Sequence, residues 1–266
     1  MAVEQIFDRG KFVVEKMFDQ LIRTIERLKY FYLRLRIRAL IQKNASGVQE
    51  NDQDLGIYWD ETFAQGVSVW GVDTAWREIQ FFLADRKGKV LDIACGSGAV
   101  MKVLENFEEF GVYGCDISSY LIEKAVESGI SGDRLTVCDA RQLPYQDNYF
   151  TYSYSIGSLE HFTEDGIRDF IRESYRITAA TSFHQVPTSR SGKEEGWIRL
   201  GQSYFNNSVE WWLKQFQSSY DRVYVLNSRW EDPISIGRWF VCVKDPLLAL
   251  SRIVLENTES EKGATA

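Results

Sequence analysis

The sequence predicts an α/β fold: a doubly wound sheet of seven strands with an antiparallel last strand, preceded by a helical extension. Three observations carry this. From Lys89 onward, short apolar runs of strand type alternate with segments of helical period. A small-residue turn, Cys95-Gly96-Ser97-Gly98, joins the first such run to the first such helix. The last two runs lie too close together for a helical crossover, so they pair as an antiparallel hairpin.

In chain order, residues 4–42 place Ile6, Phe7, Val13, Val14, Met17, Phe18, Leu21, Ile25 and Leu28 at spacings of three and four, an amphipathic helical pattern. Residues 28–41 change character: Lys29, Arg34, Arg36 and Arg38 are interleaved with aromatics and Leu/Ile, with no acid. Polar residues 44–54 read as a linker. Residues 58–84 suggest one or two helices anchored by Trp59, Phe63, Trp70, Trp76 and Phe81. Strands are then expected at 89–94, 111–116, 134–138, 149–156 and 180–186, and helices at 98–108, 119–128 and 164–176. A Gly/Ser/Lys-rich loop at 188–201 precedes a helix at 208–218 and the final strands at 221–228 and 237–244. The domain reading is a basic extension over 1–45, one α/β domain over 46–250 and a flexible acidic tail over 251–266.

With 266 residues, 44% of them hydrophobic, the chain can bury a core as one domain with an appendage. The net charge of −7 is uneven. Residues 1–45 carry ten Lys/Arg against five Asp/Glu, or +5, which leaves −12 on the remainder. A catalytic domain that acidic is a poor binder of polyanions, which argues against nucleic acid as a partner. No apolar stretch approaches the ~20 residues that span a bilayer, and the first residues lack a secretory pattern. Cysteines 95, 115, 138 and 242 are scattered without a CxxC or Cys/His cluster. Reduced thiols, a cytoplasmic location and no metal are the expectation.

The candidate site gathers where strands end. Asp92 closes the first strand, and Gly96 and Gly98 let the following backbone approach a ligand. Asp116, 20 residues beyond Gly96 at the end of the second strand, is placed to accept from both ribose hydroxyls. Asp139-Ala140 ends the third strand, where a carboxylate can accept from an exocyclic adenine amine. Together these point to an adenosyl cofactor. A dinucleotide fingerprint would need glycine at 101, where Met101 stands.

On these residues the chain resembles the class I S-adenosylmethionine-dependent methyltransferases, which have a Rossmann-like fold. Asp92-Ile93-Ala94-Cys95-Gly96-Ser97-Gly98 is similar to the family's glycine-rich motif, Asp116 in Gly114-Cys115-Asp116-Ile117 to its ribose-binding acid, and Asp139 to its adenine-contacting acid. Ser155-Ile156-Gly157-Ser158-Leu159-Glu160-His161-Phe162 looks like the signature after strand four in small-molecule methyltransferases. Resemblance covers roughly 55–245. Ala94 replaces a common glycine, and the usual Pro-Gly-Gly turn before strand five is replaced by Arg176-Ile177-Thr178-Ala179-Ala180.

The resemblance implies S-adenosylmethionine as cofactor, S-adenosylhomocysteine as product, and contacts from Tyr58, Asp92, Ala94, Gly96, Gly98, Asp116, Ile117, Asp139, Ala140 and Ser155. Tyr58 and Trp59 read either as a lid over the cofactor's sulfonium end or as simple packing. Ile117 reads as a cover for adenine or as core. Methyl transfer to an alcohol needs a base, and His161 at the catalytic edge is the candidate; the alternatives are packing against the cofactor or capping the next helix. His184 reads as a core or pocket-wall residue, and Glu160 as a group that orients a loop or helix end. Lys193 and Arg199 either meet an anionic acceptor or belong to a solvated loop.

No Asn/Asp-Pro-Pro-Tyr/Phe tetrapeptide, Pro-Cys nucleophile or acidic magnesium cluster is present. The expected acceptor is therefore a small hydroxylated molecule or sugar, with a surface-glycan precursor as one case. Methylation of nitrogen or carbon, or a cofactor-binding protein without turnover, are the alternatives. Residues 1–45 are expected to touch either an anionic membrane surface, at its inner face, or the α/β domain or a second copy of the chain.

Overall fold

The computed structural model describes residues 16, 20–22, 24, 25, 28, 31, 32, 53, 55–67, 70–84, 86–105, 110–199 and 202–248. The chain divides into two compact units, Met1–Gly47 and Val48–Ala266. In the first, the described residues are helical, and Leu21, Ile22, Ile25, Leu28, Phe31 and Tyr32 are exposed. The basic run 33–41, the linker 44–52 and the tail 251–266 lie outside the described residues.

The second unit opens with a 3-10 turn (Leu55–Trp59) and two helices, α1 (Glu61–Val67) and α2 (Ala75–Leu83). There follow β1 (Gly88–Ile93), α3 (Ala99–Leu104), β2 (Phe110–Asp116), α4 (Ser119–Glu127), β3 (Leu135–Val137) and β4 (Phe150–Ile156). A 3-10 turn (Leu159–His161) leads to α5 (Glu164–Ile177) and β5 (Thr178–Ser189). The chain closes with β6 (Trp197–Arg199), β7 (Ser203–Phe205), α6 (Val209–Phe216), β8 (Arg222–Glu231) and β9 (Ser235–Val243). Among the described residues, no helix is long and apolar enough to cross a membrane.

The expected seven-stranded sheet is present, in the order β3-β2-β1-β4-β5-β9-β8. Strands β1 to β5 are parallel, and β9 runs antiparallel to both β5 and β8. The order reverses between β1 and β4, so a crevice opens at their carboxyl ends, where open α/β sheets bind ligands. One apolar core, with Ile79, Met101, Tyr154 and Trp239, covers one face of the sheet. A second, with Phe170, Trp212, Phe216 and Phe240, covers the other.

Hydroxyl caps start the helices around the site. The Ser118 side chain accepts from Leu121 N at α4, Thr163 from Gly166 N at α5 and Ser208 from Trp211 N at α6. Helix α2 is tied down through Glu78, whose carboxylate accepts from Ser228 Oγ, Arg229 N and Trp239 Nε1 at 2.6–2.7 Å.

Several expectations need correcting. Trp59 and Phe81, read as apolar anchors, are exposed, because the faces of their helical turns that carry them point away from the sheet. The loop expected over 188–201 contains an extra two-stranded hairpin, β6–β7. Strand β5 begins directly at the end of α5 with no turn between them. The carbonyls released there are met by Lys244, which donates to Tyr175 O at 2.7 Å, and by Asn148 N, which donates to Arg176 O at 2.9 Å. Pro187 is tolerated inside β5 because β4 pairs only as far as Gln185, so no ladder bond is lost there.

Candidate active site

A cavity of about 550 Å³ opens at the carboxyl ends of the parallel strands. Its cofactor-like half is built from three strand exits: Ala94 and Gly96 after β1, Asp116 and Ile117 after β2, and Asp139 and Ala140 after β3. Asp116 is 7% exposed and rigidly braced: Oδ2 accepts from Gly96 N and Oδ1 from Ser118 N, both at 2.9 Å. Burial raises its pKa, and the N–H groups of Ser118, Gly96 and Ile117 oppose that only in part. A braced acid with remaining lone pairs beside a cavity fits a ligand that offers paired hydroxyls. Asp139 is half-buried and already engaged by Arg141, whose Nε and Nη2 donate to it at 3.0 and 2.6 Å. Burial pushes the Asp139 carboxyl up, but the bonds and charge of Arg141 outweigh this and hold it below its ordinary value.

Three residues expected at the cofactor do not border the cavity. Asp92 lies beneath the turn, 3% exposed, and accepts from Tyr154 Oη at 2.9 Å. Ser155 is turned to the opposite face, where its Oγ meets His184 Nδ1 at 2.8 Å. Gly98 caps α3 at φ 74° and serves packing, since a Cβ there would fall 2.2 Å from Ile130 Cδ1. Met101, which breaks the dinucleotide pattern, fills the space over Gly114; a Cβ on Gly114 would fall 2.4 Å from the Met101 sulfur. The close helix–strand approach is thus made by a glycine on β2 instead of one on α3.

The other half of the cavity is bordered by Tyr58, Trp70, Glu160, His161, Gln185, Gln202, Tyr204 and Trp230, among others. Tyr58 spans it: its carbonyl accepts from Ser118 Oγ at 2.6 Å and its hydroxyl from Gln202 Nε2 at 2.7 Å. Trp70 lies against Gly157, where a Cβ would come within 2.9 Å of its ring, and packs 5.5 Å from Trp230. His161 Nδ1 is 2.8 Å from Ser203 O in the unforeseen hairpin. A carbonyl only accepts, so Nδ1 carries the hydrogen and the lone pair of the neutral ring sits on Nε2. The cap of α5 is Thr163, so His161 does not cap that helix.

Glu160, read as orienting a loop or helix end, has Oε1 3.8 Å from His161 Nε2 and a bond to its own backbone N–H, while its Oε2 has no hydrogen-bond partner among the described residues. Burial pushes its pKa up to about 8. His184 is buried away from the cavity, stacked on Phe216 at 5.3 Å, and desolvation holds its pKa down to about 3. Lys193 is exposed and does not border the cavity. The side chain of Arg199 lies outside what the structure describes. Gln202 and Tyr204 fall in the segments after strand five where the resembled family builds acceptor specificity, whereas Gln185 and Trp230 had no signal in the sequence beyond being polar or aromatic near strand ends. Among the described residues no group of three or more His, Cys, Asp or Glu could hold a metal.

Residues 90–180 match a family model described as a methyltransferase domain. This is a class I, S-adenosylmethionine-dependent methyltransferase domain. The domain is similar to Mus musculus "Probable tRNA methyltransferase 9B", with 37% identity over 109 residues, 40% of this chain and 23% of that protein. It is also similar to the demethylmenaquinone methyltransferase of Thermotoga maritima, with 31% identity over 111 residues, 41% of this chain and 47% of that one. The chain therefore spans less than half the length of these relatives. A chain in the complex of the Haloferax volcanii Trm112 methyltransferase activator with a methyltransferase shares the fold at a TM-score of 0.56. That likeness has 15% identity and covers 72% of this chain and 98% of the other. The relatives' named acceptors differ, so the match of residues 90–180 to a methyltransferase domain leaves the acceptor open.

Proposed function

We propose that this protein transfers a methyl group from S-adenosylmethionine to a hydroxyl of a small molecule or sugar, with His161 as the base. The observation that carries this is the His161–Ser203 contact, which fixes the neutral ring with its lone pair on Nε2, 3.8 Å from Glu160 Oε1, beside the same cavity as Asp116. When bound, S-adenosylmethionine supplies an electrophilic methyl group on a sulfonium. Asp116, with Gly96 behind it, would hold the ribose hydroxyls, and Ile117 and Ala140 would flank the adenine. Asp139 shares its carboxylate with Arg141, so its contact to an adenine amine would use a remaining lone pair. Tyr58 closes over the ligand and excludes water. His161 would take the hydroxyl proton through Nε2 as the new bond to carbon forms.

Among the described residues that border the cavity there is no Lys or Arg, which supports an uncharged acceptor over a nucleic acid. The exposed apolar residues between Leu21 and Tyr32 support a membrane-surface or self-association role for residues 1–45, in keeping with a glycan precursor handled at the inner face of a cytoplasmic membrane. Co-sedimentation of full-length protein with anionic liposomes, and its loss on removing residues 1–45, tests that part.

The enzyme is tested by following S-adenosylhomocysteine release with neutral sugars, phenols and amines as acceptors, for wild type and His161→Ala. Turnover on a hydroxyl that falls about 10²- to 10⁴-fold in the variant, with unchanged S-adenosylhomocysteine binding, is expected. Turnover on amines alone, insensitive to His161→Ala, would replace the hydroxyl reading with N-methylation. Tight cofactor binding without turnover on any acceptor would instead leave a binding protein.

A further inference from the structure

Two buried side chains in the acceptor half of the cavity hold polar atoms that the fold does not satisfy. Gln185, on β5 opposite Ile156, is 0% exposed and borders the cavity. Neither its Nε2 nor its Oε1 has a hydrogen-bond partner among the described residues. Because both ends of the amide are unmatched, exchanging them leaves the same deficit. Glu160, 5% exposed, contributes a third unmatched atom, Oε2, to the same cavity. Buried polar groups are nearly always paired, so three unpaired atoms on two residues that border one cavity call for a ligand. The fold also keeps space for the amide. On β9, a Cβ at Gly237 would lie 2.7 Å from Gln185 Nε2 and 2.9 Å from Trp230 O.

The chemistry of the missing partner follows from the inventory. Gln185 offers one donor and one acceptor side by side, and the Glu160 carboxyl offers either role according to its protonation. A pair of adjacent hydroxyls matches this, because each can donate and accept; a group with fixed roles would satisfy one state only. The cavity is bordered by the indoles of Trp70 and Trp230 and, among its described residues, by no cation for an acidic ligand.

We propose that Gln185, assisted by Glu160, is the specificity determinant of the acceptor site and selects an uncharged molecule bearing vicinal hydroxyls. This deepens the hydroxyl-methylation reading above and rests on it for the fate of the bound diol, but not for the binding itself. Gln185 is a positioning residue: it would hold one hydroxyl so that its neighbour faces the reacting methyl.

The test is ligand-observed NMR at pH 7 on the full chain with S-adenosylhomocysteine present. The probes are methyl α-D-mannopyranoside and catechol as neutral diols from two sources, with cyclohexanol and glucuronate as single-hydroxyl and charged controls. Wild type is expected to retain at least one diol in preference to both controls. Gln185→Leu is expected to weaken that diol about tenfold or more, to leave S-adenosylhomocysteine affinity within about twofold, and to keep or raise Tm, since an unmatched buried amide is removed. Gln185→Met, equally apolar but more adaptable, serves if the leucine variant does not fold. Failure of wild type to prefer either diol overturns the proposal. So does a variant that loses Tm while binding the diol as before, because the amide would then be paired within the protein. Gln185-dependent diol binding without any methyl transfer would keep this inference and remove the hydroxyl-methylation reading.

Discussion

The hydroxyl of Tyr58 accepts a hydrogen bond from Gln202 Nε2 at 2.7 Å, joining two segments 144 positions apart across the candidate active site. Tyr58 comes from the turn that precedes the sheet, and Gln202 from the short hairpin inserted after β5. Tyr58 is also fixed from below, through its carbonyl and Ser118 Oγ, next to the braced Asp116. The roof of the cavity is therefore held from both sides by one residue.

Removing the phenolic oxygen should loosen that roof without unfolding the domain. Tyr58→Phe removes the bond to Gln202, a net loss of about 0.5–1.5 kcal/mol, together with a side-chain bond to Gln53. Calorimetry should show S-adenosylhomocysteine bound about 2- to 12-fold more weakly. Gln202→Leu should have a similar effect, and the double variant should be no worse than either alone. Fully additive losses would mean that the two residues act separately.

Asp116→Asn should be more severe. Both carboxylate oxygens accept backbone N–H bonds, whereas an asparagine would turn its own N–H groups toward Gly96 N or Ser118 N. Charge-assisted bonds of this kind are worth about 1.5–3 kcal/mol, so affinity for S-adenosylhomocysteine should fall about 10- to 100-fold. Equal affinity in the variant would remove Asp116 from the ribose role.

Glu160 predicts a pH signature in stability. Its folded pKa of about 8 lies above the ordinary value of 4.5 because burial disfavours the charged form. Between those two values the folded protein keeps a proton that the unfolded chain has lost, so stability falls as pH rises through this window, by up to about 1.4 kcal/mol per unit. Below the window both states are protonated, and above it both are ionised, so the loss is complete. Glu160→Gln lacks this linkage. Its Tm relative to wild type should therefore climb between pH 5 and pH 8; a constant difference across that range would mean an unshifted carboxyl.

Ala94 occupies the left-handed region at φ 61° in the turn after β1. A side chain there costs about 1–2 kcal/mol, of which the greater freedom of glycine in the unfolded chain returns part. Ala94→Gly should stabilise the domain by about 1 kcal/mol and raise Tm by about 2–4 °C. A lower Tm would show that the methyl group packs usefully enough to offset the strain.

How much of this was legible in the sequence depended on the range of the contacts involved. The placement of Gly96 and Asp116 beside the cavity could be read because a strand end, a turn and a second strand end recur at a set spacing. Asp92 satisfied the same local pattern, yet Tyr154, 62 positions later, captures its carboxylate; only the β1–β4 register reveals that. Ser155 was misplaced for a related reason, since one step along a strand changes the face and β4 turns that serine toward His184. Strands β6 and β7 have three residues each, too few to display a period. Gln185 was invisible because one polar residue in an apolar strand looks ordinary until its burial and missing partners are known.

The position of β9 between β5 and β8 has a consequence for synthesis. Strand β8 leaves the ribosome first but has no place in the sheet until β9 follows, since its pairing in the sheet is with β9. The edge of β5 waits for the same strand, and the α5–β5 junction waits for Lys244 just beyond it. A nascent chain stopped before residue 235 thus carries an open sheet edge, an orphaned strand and an uncapped Tyr175 carbonyl all at once. That is the stage at which this protein most needs a chaperone to shield it from self-association.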